Sequence, residues 1–418
     1  MKRLSFFLYT DILGKKIYDE FGDVLGELRD IYVTTDDGCP RAIGYKVKKN
    51  SSIYHYEFRI INVYDENGKI VIRTKGSREI LPRTYTYLLS ENLLDKKIVD
   101  INNKQVVRVN DLKIVEIAGE YKVVAVSANP LGRCNRVGMP YLGKLIYKIL
   151  GKDYEDRIIP WEDVESIGMK NNNLQLNDTY EKISSLHPAD IADILEDLDE
   201  SERKKVFESL DEDLAADTFE EIEDEYKGSI IKELSEVKTA ELLENMGNDE
   251  IADLLDDLED EEKEKILVNL EQDDAEEVQE LLKYEDETAG SIMSKDFISF
   301  RSNATVEETI DIIKKIDPDE EEIYYIFVTD EIGKVIGIVK LKDLLLNDGK
   351  ELLKNIIEDN IISVNHDAPI AEVIEVSTKY NLLSTPVVDD EERLVGIIQL
   401  QDMVDEYLLP LWKKKNKI

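Results

Sequence analysis

The sequence predicts a multidomain α+β protein whose three parts differ in pattern. The first third alternates apolar and polar residues, which is typical of β-strands. The middle, residues 180–284, is poor in glycine, and its leucines and isoleucines recur at intervals of three and four, which predicts short amphipathic helices. The last part, residues 292–408, contains two similar units that each run helix, strand, turn and strand. We therefore expect small β modules, then an all-α superhelical domain, then a repeated α/β unit.

The composition excludes some classes of protein. The chain has 418 residues and a net charge of −39, and 42% of its residues are hydrophobic, enough for several domain cores. So large an excess of acid argues against nucleic-acid binding, which needs clustered lysine and arginine. The longest stretch without Asp, Glu, Lys or Arg is ten residues, 123–132, whereas a membrane-spanning helix needs about 20 apolar residues. We expect no membrane span.

The cysteines indicate the compartment. Cys39 and Cys134 are the only two, they lie far apart, and they form no CxxC motif. A disulfide framework is therefore not expected, and a reducing cytoplasm is the natural location.

The N-terminal strands are joined by an identifiable turn. Ile43, Tyr45 and Val47 alternate with other residues, and the turn DENG at residues 65–68 precedes a further apolar run. Asn-Gly between apolar runs is a strong hairpin signal. A calcium loop would need the EF-hand spacing and a closing Glu, which this turn lacks. A plain β-hairpin is the preferred interpretation.

The first third also contains an internal duplication. LGKKIYD at residues 13–19 is matched by LDKKIVD at residues 94–100, a spacing of 81 residues. Each copy continues through a polar turn into another strand, which reaches Asp30-Ile31 in the first copy and Asp111-Leu112 in the second. This repetition predicts two copies of one β module.

The duplicated segment resembles a known family. LGKKIYDEFGDVLGELRDI at residues 13–31 resembles the PRC-barrel family, and IPWEDVESI at residues 159–167 suits the end of such a module. The resemblance implies two small β-barrels, at residues 1–85 and 86–175, although the second copy lacks the paired glycines. PRC barrels serve as adaptors in photosynthetic reaction centres and in an RNA-processing factor. The family therefore implies binding and no particular chemistry, and the net charge disfavours RNA.

The middle of the chain is an acidic helical repeat, expected over residues 178–288. IADILEDLDESERKKVFESLDED at residues 191–213 pairs with IADLLDDLEDEEKEKILVNLEQD at residues 251–273, a spacing of 60, with a related unit at 239–246. Most of its carboxylates would lie on solvated helix faces. Carboxylates this dense nevertheless repel one another, and Mg²⁺ or K⁺ would lower that cost. Because Mg²⁺ keeps several waters and contacts one or two carboxylates, a diffuse acidic surface can sense it.

The C-terminal units share the frame V/L-x-G-I-hydrophobic-x-L-x-D. It pairs Gly337 with Asp343 and Gly396 with Asp402. An Asp that follows a strand and opens a helix is an N-cap signal, so capping alone is the simplest role for both acids. The frame resembles that of CBS domains, which pair into adenosine-nucleotide-binding (Bateman) modules and commonly dimerise.

A more specific resemblance joins the helical and C-terminal parts. Four motifs occur in the order and spacing of the cytosolic half of MgtE-type magnesium transporters: HPADIADIL (187–195), ETAGSIM (287–293), IYYIFVTD (323–330) and LLSTPVVDDEERLVGII (382–398). The predicted architecture is thus small β-barrels, an all-α superhelical domain and an α/β tandem CBS (Bateman) module. The CBS repeats are expected at 289–352 and 353–409, followed by a basic tail at 410–418.

The resemblance to MgtE implies a set of site residues. In that family Mg²⁺ screens acids between the helical domain and the CBS pair, and ATP binds the CBS pair and strengthens the response. By position, the implied metal-binding acids are Asp217, Asp249, Asp253, Asp402 and Asp405. The implied nucleotide contacts are Tyr325, Lys342, Asp343, the backbone near Ile362, and Leu382. Lys340 and Gln399 depart from the family pattern, which has Ser or Thr at these positions.

No motif for catalysis accompanies these domains. The sequence has no Walker A motif, and its three histidines, His55, His187 and His366, are scattered. His187 precedes Pro188, and a polar residue before a helix is a better interpretation than a zinc ligand, which needs three partners nearby. No nucleophile with a base and an orienting group is indicated, so an enzyme is not expected.

The predicted function is regulatory. We expect a cytoplasmic homodimer in which the acidic helical domain and the CBS pair form a Mg²⁺-responsive clamp. An adenine nucleotide would modulate this clamp, and the PRC-like modules would signal to a protein partner. Two alternatives stay open: a structural adaptor with vestigial sensor domains, and a detached cytosolic subunit of a magnesium channel. The lysines of the tail would attract an anionic membrane only weakly beside so much acid, so a solubilising end is preferred.

Overall fold

The chain divides into two compact units, Met1–Ser235 and Glu236–Ile418. The first contains the β region and the first half of the helical array, and the second contains the remaining helices and the two α/β repeats. The structure is a computed structural model, and the residues it describes are 2–35, 38–58, 61–80, 87–129, 157–167, 180–256, 258–316, 318 and 322–408.

The described β region contains fifteen strands: β1 Lys2–Arg3, β2 Phe6–Leu8, β3 Lys16–Tyr18, β4 Val24–Thr34, β5 Arg41–Lys49, β6 Ser52–Glu57, β7 Ile61–Glu66, β8 Lys69–Thr74, β9 Tyr87–Leu88, β10 Lys97–Asp100, β11 Gln105–Arg108, β12 Asp111–Ile117, β13 Glu120–Ser127, β14 Ile158–Pro160 and β15 Val164–Glu165. Their side chains alternate as the pattern predicts. In β5, Tyr45 and Val47 are buried and Lys46 between them is not. Alternation of this kind places one face of each strand in the core.

Twelve of these strands form one barrel-like sheet. Its order in the described residues is β1-β7-β8-β3-β4-β5-β13-β12-β2, with β6 on β5, β9 on β4 and β14 on β13. The strands β10, β11 and β15 form a separate small sheet. A single hydrophobic core contains residues of both copies, from Ile17 and Tyr45 in the first to Leu112 and Trp161 in the second.

The turn at residues 65–68 is the predicted hairpin. It joins β7 to β8, which pair so that Glu66 lies opposite Lys69. The two residues between them, Asn67 and Gly68, have φ of 55° and 81°. Both lie in the left-handed region, as a type I′ turn requires, and this explains the choice of Asn-Gly. The hairpin prediction is confirmed.

The two copies of the β module exchange their leading segments. In the first copy, β2 runs into helix α1 (Tyr9–Ile12), and β2 pairs with β12 of the second copy. In the second copy, β9 runs into helix α2 (Leu89–Asn92), and β9 pairs with β4 of the first copy. The boundary after residue 85 stays a prediction, and the described strands of the two copies share one sheet.

Two buried aspartates hold the exchanged helices. Asp30 of the first copy accepts a hydrogen bond from the backbone N of Ser90 in α2 at 3.1 Å, and another from the hydroxyl of the same serine. Asp111 of the second copy accepts from the backbone N of Thr10 in α1 at 3.1 Å and from its hydroxyl. The aspartates lie 81 positions apart, so the duplication in the sequence reappears as a reciprocal contact.

The acidic middle region folds as an array of short helices. Their bounds are α3 Pro188–Asp197, α4 Glu200–Phe207, α5 Glu212–Glu220, α6 Asp224–Glu233, α7 Glu236–Glu244, α8 Asn248–Asp256, α9 Asp260–Asn269 and α10 Gln272–Leu281. Helix α3 begins where predicted, because Nδ1 of His187 accepts a hydrogen bond from the N of Ala189 at 3.3 Å. This histidine is therefore a helix cap.

The helical repeat follows the predicted apolar spacing. Ile191 and Leu195 in α3, and their counterparts Ile251 and Leu255 in α8, are each at most 1% exposed. Residues four apart lie on one face of a helix, so each helix turns this face inward and its acidic residues outward.

The C-terminal part consists of two similar α/β repeats. The first contains β16 Ser299–Arg301, α11 Val306–Ile316, β17 Tyr325–Thr329, β18 Val335–Lys340 and α12 Leu341–Leu346. The second contains β19 Val364–Asn365, α13 Ile370–Tyr380, β20 Ser384–Val388, β21 Leu394–Gln399, α14 Leu400–Asp402 and a π-helix at Met403–Leu408. In each repeat the central strand pairs in parallel with one neighbour and antiparallel with the other.

The shared glycine of the frame has a steric reason. A Cβ on Gly337 would lie 2.6 Å from the Cβ of Ile357, which is in the segment leading into the second repeat. A Cβ on Gly396 would lie 2.6 Å from the Sδ of Met293, which is in the segment leading into the first. Each strand thus needs glycine because the other repeat's leading segment crosses it closely.

The predicted helix caps of this frame are displaced by three residues. Helix α12 begins directly after Lys340, and α14 directly after Gln399, so Asp343 and Asp402 are the third residues of their helices. The N-cap prediction was wrong, because the last residue of the strand is itself the N-cap. In the first repeat this residue is Lys340, whose backbone is extended at φ −84° and ψ 148°. Asp402 still caps its helix, since its Oδ2 accepts from the N of Gln399 at 3.2 Å.

The succession of strand-rich, helical and α/β parts confirms the predicted fold class. Among the helices that the structure describes, none is both long and apolar enough to cross a bilayer. The predicted basic tail at residues 410–418 lies outside the described residues.

Candidate functional site

Asp249 stands at the start of α8 and faces a second carboxylate. Its helix turns Ile251 and Leu255 inward, which leaves Asp249 half-buried beside the core. A Cβ on Gly247 would lie 2.7 Å from Oδ1 of Asp249 and 3.9 Å from Oδ2 of Asp296. Two carboxylates therefore approach the same point beside this glycine.

The electrostatics of Asp249 differ from those of an ordinary surface acid. Burial, together with the nearby charges of Glu250 and Asp296, raises its pKa to about 6, against backbone hydrogen bonds from Asp249 and Glu250 that lower it. At neutral pH the group is still ionised, so the folded protein holds this charge at a cost. A proton, or a cation bound between the carboxylates, would lower that cost.

The position of Asp296 is fixed by its neighbours in the chain. Its backbone N donates to Oγ of Ser294 at 3.1 Å, and Ser294 exchanges two backbone hydrogen bonds with Ile397 in β21, both 2.9 Å. Lys295 lies between these two residues in the sequence, and its Nζ is 2.5 Å from Oε2 of Glu280 in α10. The segment that carries Asp296 is thus tied to the second α/β repeat and to the helical array.

The ETAGSIM motif packs the end of the helical array onto the second repeat. The backbone N atoms of Ala289 and Gly290 donate to the carbonyls of Ala368 and His366, both at 2.8 Å. A Cβ on Gly290 would lie 2.4 Å from the ring of Tyr284, and the centroid of that ring lies 5.5 Å from the centroid of the His366 ring, with the two rings tilted by 55°. Within the second unit, this contact joins the helices that carry Asp249 to the repeats that carry Asp296.

The remaining predicted metal-binding acids lie in different surroundings. Asp253 is exposed one turn after Asp249 on α8, and Asp402 caps α14. Asp405 lies in the π-helix, and its side chain is outside the described atoms. Asp217 is exposed on α5 in the first unit. Metal binding by these four residues stays a prediction.

Asp296 was missed by sequence reasoning. It lies just after ETAGSIM with no repeat or motif of its own, so its only signal is an acid in the segment that joins the helical and α/β parts. In the described residues no three His, Cys, Asp or Glu side chains gather into a preformed metal site. A pair of carboxylates suits Mg²⁺, which retains most of its waters in proteins.

The predicted nucleotide residues of the first repeat surround an ion pair. Tyr325 opens β17 directly opposite Lys340, which ends β18. Nζ of Lys340 lies 2.8 Å from both carboxylate oxygens of Glu358. The hydrogen bond that Lys340 donates to Glu358 is the largest cause that raises the pKa of Lys340. Asp343, one helical turn later, raises it further by its charge.

The other predicted nucleotide contacts are more peripheral. Lys342 is exposed on α12. Ile362 is half-buried in the segment before β19, and Leu382 is half-buried after α13, where its N donates to the carbonyl of Ser377 at 2.9 Å. Their contact with a nucleotide stays a prediction.

The second repeat is built differently at the matching position. Gln399 replaces the lysine, and its side chain accepts from the backbone N of Asp402 while Asp402 accepts from the N of Gln399. This reciprocal capping box satisfies both side chains within the helix start. At this position the first repeat therefore presents an ammonium paired with a carboxylate, whereas the second presents an uncharged amide bonded within its own helix start.

Comparison with protein families finds three kinds of domain in the chain. The MgtE intracellular N domain matches residues 186–287, the PRC-barrel domain matches residues 5–78, and the CBS domain matches residues 289–348 and 353–409. A crystal structure of the soluble part of a magnesium transporter is 33% identical, with a TM-score of 0.51, and the match covers 55% of this chain and 91% of that one. The chain belongs to the MgtE family. The PRC-barrel match covers the first β copy, and the PRC character of the second copy stays a prediction.

Two further comparisons refine this membership. The cytosolic domain of the Mg²⁺ channel MgtE, solved in complex with ATP, is 30% identical, and the match covers 54% of this chain and 92% of that structure at a TM-score of 0.52. The magnesium transporter MgtE of Enterococcus faecalis is 36% identical over 127 residues, which are 30% of this chain and 28% of the transporter. The chain thus spans under a third of this curated MgtE relative.

Proposed function

We propose that this MgtE-family chain is a cytoplasmic regulatory protein that responds to Mg²⁺. The helices α7–α10 would close onto the CBS pair when Mg²⁺ screens the acids between them, with Asp249 and Asp296 at the centre. The predicted acids Asp217, Asp253, Asp402 and Asp405 would add to this screening. The observation that carries the proposal is the approach of two carboxylates beside Gly247, one of them half-buried with a raised pKa.

The physical basis is a difference in affinity between two states. Two carboxylates held close together repel one another, and the repulsion grows as water is excluded. Mg²⁺ binds such a pair through its hydration shell and one or two carboxylate oxygens. A ligand shifts a conformational equilibrium only by binding one state better, and here the closed state gathers the charges that Mg²⁺ neutralises.

The other domains have supporting roles in this proposal. An adenine nucleotide would bind the first CBS repeat near Tyr325, Lys342 and Asp343, with Ile362 and Leu382 beside the base. This assignment is supported by membership of a family with an ATP-bound structure. The CBS pairs of two chains would form a homodimer, and the PRC-like modules would pass the change to a protein partner.

Small-angle scattering of the full chain tests the clamp. We expect the radius of gyration to fall as MgCl₂ rises from micromolar to millimolar, with ionic strength held constant by KCl. The variant Asp249→Asn should respond less, because one of the two charges that Mg²⁺ screens is gone. Glu264→Gln, an exposed acid on α9, is the matched control and should respond like the natural chain. A radius that stays constant in Mg²⁺ would remove the clamp.

A structural adaptor is the second candidate. It is favoured by the capping box of the second CBS repeat, in which Gln399 and Asp402 bond to each other. The adaptor would be supported if titration calorimetry detects no binding of ATP, ADP or AMP and the radius of gyration stays constant in Mg²⁺. Recovery of a membrane protein with the tagged chain would instead support a channel subunit.

A further inference from the structure

The ion pair between Lys340 and Glu358 joins two segments that meet beside the first CBS repeat. Lys340 is the last residue of β18, and Glu358 lies in the segment between the repeats. Backbone hydrogen bonds in both directions between Glu358 and Ile338, 2.9 and 3.1 Å, hold that segment against β18. The side chains of Lys340 and Glu358 are 36% and 50% exposed, so the pair is open to exchange with a ligand from solvent.

The groups around this ion pair have complementary chemistry. Tyr325 supplies an aromatic ring on the adjacent strand, and Asp343 supplies a carboxylate one turn into α12. The hydrogen bond that Lys340 donates to Glu358 is the largest cause that raises the pKa of Lys340, and Tyr325 and Asp343 lie near enough to raise it further. An aromatic ring can stack on a base, a carboxylate can accept from ribose hydroxyls, and an ammonium binds phosphate.

We propose that Glu358 is an internal competitor for the phosphate of a nucleotide, and that Lys340 exchanges Glu358 for that phosphate on binding. This inference rests on the proposed nucleotide role of the first repeat. Glu358 opposes binding in two ways, since it occupies the ammonium and places a negative charge beside the incoming phosphate. We call the Lys340–Glu358 pair the latch, because this competition sets the nucleotide concentration at which the site becomes occupied.

The latch predicts unequal repeats. Gln399 carries no charge at the position of Lys340, and its side chain is engaged with the backbone of Asp402. The second repeat therefore has no ammonium that could bind a phosphate at this position. We expect one nucleotide for each chain, bound at the first repeat.

Calorimetry of the full chain with ATP and with adenosine tests the latch. The variant Glu358→Gln keeps the backbone bonds to β18 but removes the charge. We expect it to bind ATP about three- to fivefold more tightly than the natural chain, the upper part of the range for an exposed ion pair. Its affinity for adenosine should be unchanged, because adenosine has no phosphate. Glu392→Gln, which removes the acid of the exposed Lys334–Glu392 pair, is the control and should bind ATP like the natural chain.

A double variant separates charge competition from a change of shape. Lys340→Gln should weaken ATP binding, and in its presence Glu358→Gln should tighten it less than in the natural chain, because only the direct repulsion between Glu358 and the phosphate is then removed. The latch is overturned if Glu358→Gln leaves ATP affinity unchanged or lower, or changes the affinities for ATP and adenosine by the same factor. If no variant binds ATP, both the latch and the nucleotide role are wrong, while the Mg²⁺ clamp is judged separately by scattering.

Discussion

Buried carboxylates occur in the β region and beside the CBS pair, and their neighbours differ in kind. In the β region Asp30 is 3% exposed and accepts hydrogen bonds from Oη of Tyr9 at 2.7 Å, from the N of Ile31 at 2.8 Å and from Ser90. In the second unit, Asp249 is half-buried and faces Glu250 and Asp296, two further acids.

The comparison separates a structural acid from a responsive one. The donors around Asp30 stabilise its charge, so its role is to hold α2 of the other copy in place. Burial and the acids around Asp249 outweigh the backbone hydrogen bonds that this carboxylate accepts and destabilise its charge, so the folded state gains when a proton or a cation arrives. Asp111 is intermediate, since burial raises its pKa and the hydrogen bonds from Thr10 and Leu112 lower it.

The largest expected effect is in the β region. Asp30→Ala leaves the hydroxyl of Tyr9 and both donors of Ser90 without their acceptor, and should lower the free energy of unfolding by about 3 kcal/mol. Chemical denaturation followed by circular dichroism measures this. Asp23→Asn, an exposed acid just before β4, is the control and should change stability little. A loss for Asp30→Ala no larger than for the control would mean that α2 is held by packing alone.

A smaller effect of opposite sign is expected at Asp249. Asp249→Asn should raise the free energy of unfolding at neutral pH without Mg²⁺, by on the order of 1–2 kcal/mol, because it removes a charge that burial and two acids disfavour. Thermal unfolding in EDTA measures this, with Glu264→Gln as the control. A destabilised Asp249→Asn would mean that the backbone hydrogen bonds from Asp249 and Glu250 outweigh burial and the two acids.

The pH dependence of stability tests whether the raised pKa belongs to Asp249. The folded pKa of Asp249, about 6, lies above the ordinary value of 3.8, so between these pH values the folded state holds more protons than the unfolded state. The contribution of this group is therefore favourable at low pH and is lost as the pH rises through about 6. The difference in unfolding free energy between Asp249→Asn and the natural chain should grow from near zero at about pH 4 to its full value above about pH 6. If the difference in unfolding free energy between the variant and the natural chain is constant with pH, the raised pKa belongs to a group other than Asp249.

The smallest expected effect is at Gly247. A methyl group there would lie 2.7 Å from Oδ1 of Asp249, so Gly247→Ala should push this flexible carboxylate away from Asp296. We expect a change of less than about 1 kcal/mol in stability, with a reduced compaction by Mg²⁺ in small-angle scattering. Full compaction in this variant would show that the contact beside Gly247 is not the Mg²⁺-sensitive one.

The local elements and the order of domains could be predicted from the sequence. Short-range physics decides them: Asn67-Gly68 favours a left-handed turn, His187 before Pro188 caps a helix, and apolar residues four apart form one helix face. The duplication at a spacing of 81 residues predicted two related β modules, and Asp30 and Asp111 already occupied matching positions in the two copies.

The sequence by itself thus determined the family, the elements and the acidic character of this protein. Only the tertiary structure decided that each β module takes its leading strand and helix from the other, that Asp296 is the acid opposite Asp249, and that Glu358 holds Lys340. The reason is that turns, caps and apolar periodicity act between residues a few positions apart. Which carboxylate meets another, 47 positions away for Asp249 and Asp296, depends on how whole segments pack.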